Sequence, residues 1–282
     1  MAISIHSNPS AATAAVQLSK NVAAHQTSLE RLSSGSRIAK PSDDAGGNAV
    51  AMKMASAIRR TNAVSTNVSN ALSFLQTQEA GLRQFSSILT RMSELTVFMQ
   101  DVTKSEADLN NYVTEMSVLC DEMEKIQSDR FNGVRLFHTA GTPEPLQVYV
   151  SEDASQVIEL DQSNLGALVF QNIIAFSNSI ASIDAREEFN GLTLDVYRTA
   201  LQEIATLIGQ NGAAQSRINF ALSGLSVNGT NLEASLSRIA DVDVATESTR
   251  LAKTKVLAEF SATVLQQANA NANIATKLIS GS

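Results

Sequence analysis

From Val64 to Met99, apolar side chains return every third and fourth residue. Val64, Val68, Ala71, Leu75, Leu82, Phe85, Leu89, Met92 and Met99 keep the step, with Gln78 and Thr96 as its polar exceptions. A 3.5-residue period held this long draws one apolar stripe along a helix and demands a partner helix down its length. At about 1.5 Å per residue the stretch runs roughly 54 Å, more than a compact globule of this size would use. Prolines fall only at Pro9, Pro41, Pro143 and Pro145, leaving 42–142 and 146–282 free of the residue that costs a helix interior about 3 kcal/mol. The spacing predicts a mainly α protein, a long antiparallel helical bundle or coiled coil.

Four further stripes follow the same rule. Ala11, Ala15, Leu18, Val22, His25, Leu29 and Leu32 form a seam near the start, ending at Ser33-Ser34-Gly35, where glycine can take the left-handed terminating conformation. Pro41-Ser42-Asp43-Asp44 reads as a loop closing in an N-cap for the next helix. Leu109, Tyr112, Met116, Leu119, Met123 and Ile126 should fold back antiparallel on the long stripe. Tyr197, Leu201, Ile204, Ile208, Asn211, Gln215, Ile218, Leu222 and Leu225 carry the return helix. The last stripe is Val244, Leu251, Ala258, Leu265, Ala272 and Ile279, one heptad apart, flanked by Leu257 and Val264.

Between these stripes the grammar changes. Phe131-Asn132-Gly133-Val134 is a turn signal, Leu146, Val148 and Val150 alternate with polar residues, and Gln156 to Leu160 is a second extended run. A small β-hairpin region over about 131–161 is expected.

The two end stripes are rich in alanine, which buries far less than the 1.5–3 kcal/mol or so of a fully buried leucine. Ordering each residue costs about 1–2 kcal/mol of backbone entropy. Such ends are expected to fold fully only where neighbouring copies add surface. The chain of 282 residues has a net charge of −7, which argues against broad nucleic-acid binding, and its single Cys120 excludes a disulfide framework. No run approaches the roughly 18 apolar residues of a membrane span, and the first ten residues lack the basic flank and apolar region of a cleavable signal.

Sharper chemistry is thin. His25 has no histidine one turn away, so a polar residue tolerated in a seam is preferred to a pH switch or a metal ligand. Asp241 and Asp243 begin like a calcium loop, but Thr246 and Ala252 stand where glycine and a bidentate glutamate are required; they read as helix caps. Neither a nucleophile elbow nor a phosphate-binding loop is present, so an enzyme is not expected and no cofactor or metal is implied. Cys120 and the methionines read as core filling.

Ser28-Leu29-Glu30-Arg31-Leu32-Ser33-Ser34-Gly35-Ser36-Arg37-Ile38 with Asp43-Asp44-Ala45-Gly46-Gly47 closely resembles bacterial flagellin. So do Arg130 to Leu136, Ser237 to Glu247 and Val264 to Asn269, in the right order across nearly the whole chain. The resemblance implies a short flagellin with two domains: D0, at 1–42 plus 243–282, and D1, a rod at 43–242 carrying the hairpin. It implies a subunit that self-assembles into the flagellar filament used for motility; a hook–filament junction protein is the nearest alternative. The D0 assembly seam would be Leu18, Val22, Leu29, Leu32, Leu251, Ala258, Val264, Leu265, Ala272 and Ile279, and the D0–D1 linker would hold Gly35, Pro41, Gly46 and Gly47, its glycines letting it bend. The D1 core would use Val68, Leu75, Leu82, Phe85, Leu89, Met92, Leu201, Ile204, Ile208, Ile218 and Leu222. The implied partners are further copies of the chain, the flagellar export apparatus and its chaperone, the filament cap and hook-associated proteins. The implied location is extracellular, reached without signal cleavage and without membrane insertion. Arg91, Glu94 and Leu95 resemble the patch by which an innate immune receptor detects some flagellins.

Overall fold

The computed structural model describes residues 8–139, 145–166, 170–174 and 193–280, with 272–280 as backbone alone. Expectations at Pro143, and for the side chains of Ala272 and Ile279, lie outside the described residues. Helix α1 spans Pro9–Ser34, α2 Ala45–Met99, α3 Glu106–Ser128, α4 residues 170–174, α5 Leu194–Ala240 and α6 Val244–Ser280. The chain divides into two compact units, residues 1–58 with 230–282, and residues 59–229.

Local chemistry sets the helix ends. Asn8 accepts from the Ala11 N–H at 3.1 Å with Pro9 in the first turn, and Gly35, at φ 69°, terminates α1. Asp44 accepts from the Gly47 N–H at 2.8 Å to start α2. Gly46 and Gly47 are therefore helical, which corrects their assignment to a flexible linker: Asp44 caps the helix just before them, and Pro41 alone of that later group stays in the loop. Ser105 and Asp108 form a reciprocal capping box at the start of α3.

In the unit of residues 59–229, the predicted stripe is buried almost as drawn. Val68, Leu75, Leu82, Phe85, Leu89 and Met92 are each at most 1% exposed, and the polar Gln78 and Thr96 are buried with them. Helix α3 returns antiparallel along α2, since Gln84 donates to Glu122 at 3.2 Å and Arg91 to Glu115 at 2.7 Å. On α5, Tyr197, Ile204 and Ile218 are buried, whereas Leu201, Ile208 and Leu222 are half-buried at the edge of the core.

Polar residues in this core are bonded to one another. Gln78 donates to the Leu136 carbonyl at 2.7 Å, and Asn211 donates to the Leu75 carbonyl at 3.1 Å and to Gln78 Oε1 at 2.6 Å. Gln215 donates to Asn211 Oδ1 at 2.6 Å and to Glu79 at 2.7 Å. The bond from Gln215, with that from Arg83, holds the Glu79 carboxyl below its ordinary range.

Short strands cover one part of this bundle: β1 Arg130–Phe131, β2 Val134–Arg135, β3 Phe137–His138, β4 Leu146–Tyr149, β5 Val157–Leu160 and β6 Ser163–Asn164. The expected turn joins β1 to β2, with Asn132 and Gly133 both at positive φ, as a two-residue hairpin requires. Strands β4 and β5 form the expected hairpin, Leu146 opposite Leu160 and Tyr149 opposite Val157. The parallel β3–β6 pair was not anticipated. Phe137, fully buried, lies over Gly81 of α2, where an added Cβ would meet its ring at 2.7 Å.

Candidate assembly surface

In the other unit, α1 and α6 run antiparallel. Asn8 Nδ2 donates to the Ala268 carbonyl at 3.0 Å, and Asn21 Nδ2 donates to Ser261 Oγ at 2.7 Å and to the Leu257 carbonyl at 3.3 Å. Arg31 meets Glu247 at 4.0 Å. The face that α1 turns toward α6 carries Ala14, Leu18, Asn21, His25, Ser28 and Leu32, all buried or half-buried. Helix α6 answers with Glu247, Leu251, Thr254, Ala258, Ser261 and Leu265. This interface mixes four leucines with polar residues. Ser28 is 1% exposed and its hydroxyl has no hydrogen-bond partner; the same holds for His25 Nδ1, Arg31 Nε and Glu247 Oε1.

Several large apolar side chains face away. Phe260 is 67% exposed, Val264 52% and Leu29 47%, with Val16, Val22, Val256 and Leu257 also exposed. The predicted D0 seam therefore splits. Leu18, Leu32, Leu251, Ala258 and Leu265 lie on the face between the two helices, whereas Val22, Leu29 and Val264 stand on the outside of the pair. The reason is rotational: a run of a/d positions defines an arc, and the small residues Ala14, Ser28 and Thr254 let the helices meet slightly to one side of it. An open groove of about 480 Å³ between Ala14 and Gln17 of α1 and Leu257, Phe260 and Val264 of α6 continues the outward apolar surface.

Where α1 and α5 end, the chain is tied. The Arg37 N–H donates to the Ala240 carbonyl at 2.7 Å and the Val242 N–H to the Gly35 carbonyl at 3.1 Å, making a bridge between Ser36 and Asp241. Ser36 Oγ also donates to the Ala240 carbonyl at 3.0 Å. Asp243 then caps α6, accepting from the Thr246 hydroxyl and from the N–H groups of Thr246 and Ala245, bonds that hold its carboxyl below the ordinary range. It acts as the cap its sequence suggested, and Asp241 sits in the bridge. These ties were missed because backbone pairing of two residues leaves no periodic trace.

Of the immune-receptor patch, Arg91 is half-buried and held between Glu115 and Glu94 at 2.7 and 3.0 Å. Leu95 is fully buried in the core and offers no side chain to a partner, a correction to its place in that patch. Among the described residues no group of three or more His, Cys, Asp or Glu could hold a metal ion, and no helix is long and apolar enough to cross a membrane.

A helical bundle with a closed core in one unit and apolar side chains left exposed along both terminal helices has the layout of a structural subunit. Comparison with known proteins gives the family. Residues 5–142 match the bacterial flagellin N-terminal helical region and residues 194–278 the bacterial flagellin C-terminal helical region. The chain is 31% identical to a flagellin of Bacillus subtilis, covering 94% of this chain and 96% of that protein, and 32% identical to flagellin FlaB2 of Treponema pallidum over 86% and 88%. Among solved structures, a putative flagellar hook-associated protein from Vibrio parahaemolyticus shares the fold at 15% identity, with a TM-score of 0.60, covering 71% of this chain and 100% of that one. The protein belongs to the bacterial flagellin family and is a structural subunit of the flagellar filament, whose business is motility.

Proposed function

We propose that the outward apolar rows of α1 and α6 are the surfaces by which neighbouring copies pack in the filament. One observation carries the reading: in a unit with little core of its own, Leu29, Leu257, Phe260 and Val264 lie exposed. Large apolar residues exposed together mark an interaction surface. The test is Phe260→Asp with Val264→Asp. Helix content and the melting of residues 59–229 should stay as in the parent, while seeded filament elongation is lost. Normal elongation by this variant would overturn the assignment.

The domain reading follows the helix breaks. Residues 1–42 and 243–282 act as D0 and residues 43–242 as D1, with Gly35 and the Ser36–Asp241 bridge at the joint. The chain would leave the cell unfolded through the flagellar export apparatus, escorted by a chaperone and without cleavage, and would fold at the filament tip beneath its cap beyond the hook-associated proteins. The polar, alanine-rich α1–α6 interface supports this order, since it leaves little to fold around before assembly. Deleting 1–40 or 243–282 should leave a folded helical middle that no longer polymerises; filaments from either truncation would refute it.

The shared fold with a hook-associated protein does not discriminate between filament and junction roles, whereas the curated relatives are named flagellins and filament core proteins. Recognition by an innate immune receptor would rest on the half-buried Arg91 and the exposed Glu94, without Leu95. Arg91→Ala should then lower receptor activation by monomeric protein, and unchanged activation would exclude the patch.

A further inference from the structure

We infer that Asn21, Ser261, Arg31 and Glu247 determine the register in which α1 pairs with α6. The inference concerns the helix pair itself and does not depend on what its outer face contacts. The apolar content of the interface fixes a register only weakly. Leu251, Ala258 and Leu265 repeat at seven-residue intervals, as do Leu18 with His25 and Leu32 on the facing helix, so sliding one helix by a heptad keeps both seams in line and only exchanges leucine with alanine on α6 and with histidine on α1. Such a slide is roughly 10 Å at about 1.5 Å per residue.

Thr254 stands one heptad before Ser261 and repeats its hydroxyl, but the Arg31–Glu247 pair has no heptad copy. In the observed register Asn21 donates to Ser261 Oγ at 2.7 Å and to the Leu257 carbonyl, and Arg31 lies against Glu247 with side chains only 19% and 9% exposed. Sliding α6 one heptad in one direction brings the Glu247 carboxylate opposite Ala24. Sliding it in the other brings Arg31 opposite Thr254 and Asn21 opposite Ala268. Each alternative parts Arg31 from Glu247 and leaves both without a counter-charge, the penalty by which single polar layers select alignment in coiled coils. Asn8, bonded to Ala268, and the Ser36–Asp241 bridge fall in the same alignment at the two ends of the pair. The outer rows of α1 and α6 meet as one surface only in this alignment, which makes the four polar residues specificity determinants for assembly.

The test measures the alignment directly. In full-length protein carrying Cys120→Ala, nitroxide labels are placed at the exposed positions Ser19→Cys and Glu259→Cys, and labelled chains are diluted among unlabelled ones in filaments. The parent should give one narrow dipolar distance. Combining Asn21→Leu, Ser261→Leu, Arg31→Leu and Glu247→Leu should add a second, longer distance from heptad-shifted pairs. One narrow distance in that variant would overturn the inference. Should the quadruple variant fail to form the helix pair, charge exchange serves instead. Arg31→Glu and Glu247→Arg should each split the distance, and their combination should restore one peak; a combination that stays split would also overturn it. Elongation is scored separately, so a variant that elongates poorly yet keeps one narrow distance in the filaments that do form counts against the outer surface and not against the register.

Discussion

Helices α2 and α1 obey the same heptad rule, yet they use it in opposite ways. Along α2 the stripe from Val68 to Met92 disappears into a core shared with α3 and α5, and even its polar members are buried and bonded. Along α1 and α6 the buried positions are Ala14, Ser28, Thr254 and Glu247, while Val22, Leu29, Phe260 and Val264 stay exposed. Periodicity shows which side chains must be covered. It does not show whether the chain itself or another molecule covers them.

The widest separation between the two regions should come from matched truncations. Phe85→Ala, in the closed core, should cost about 3–5 kcal/mol in denaturant unfolding of the full chain, whereas Phe260→Ala should change the same transition by less than about 0.5 kcal/mol. Equal effects would erase the contrast.

Alkali should be felt by the closed unit next. Burial pushes the Tyr197 phenol up to about 12 from an ordinary 10. Its contribution is therefore complete below pH 10 and is lost as pH rises toward 12, because only the unfolded chain ionises freely there. At about 1.4 kcal/mol per unit the loss approaches about 3 kcal/mol, and Tyr197→Phe should flatten that part of the pH–stability curve.

Asn211→Ala removes the donor that satisfies Gln78 Oε1 and the Leu75 carbonyl, and should cost about 1–3 kcal/mol by the same unfolding measurement. The smallest effect belongs to the open unit. Asp243→Ala should speed amide exchange at the start of α6 and leave the bundle's melting unchanged. In the parent, protection at Ala245 and Thr246 should be present at neutral pH and fall as pH drops through the depressed Asp243 range, since that carboxylate caps only when ionised.

Much of this contrast was legible in the residues. The stripe from Val68 to Met92, the α1 stop at Gly35, the Asp44 and Asp243 caps and the β4–β5 hairpin all follow from local chemistry acting over a few residues. Leu95 was misread because α2 is covered by more than one neighbour, so its buried arc is wider than a single a/d stripe and takes in Phe74, Ile88 and Leu95 as well. Gly46 and Gly47 suggested a hinge, but Asp44 captures the Gly47 amide and draws both into helix. The outward placement of Val22, Leu29 and Val264 depends on how far two helices rotate against each other, which the sizes of Ala14, Ser28 and Thr254 decide and which a stripe read on one helix does not reveal.

Cys120, 1% exposed in the bundle, is the only thiol of the chain. A thiol-reactive dye can modify it only during moments when that bundle breathes open, so labelling kinetics give a native stopwatch for one half of the molecule. The terminal helices carry no thiol, so the signal comes from that half alone.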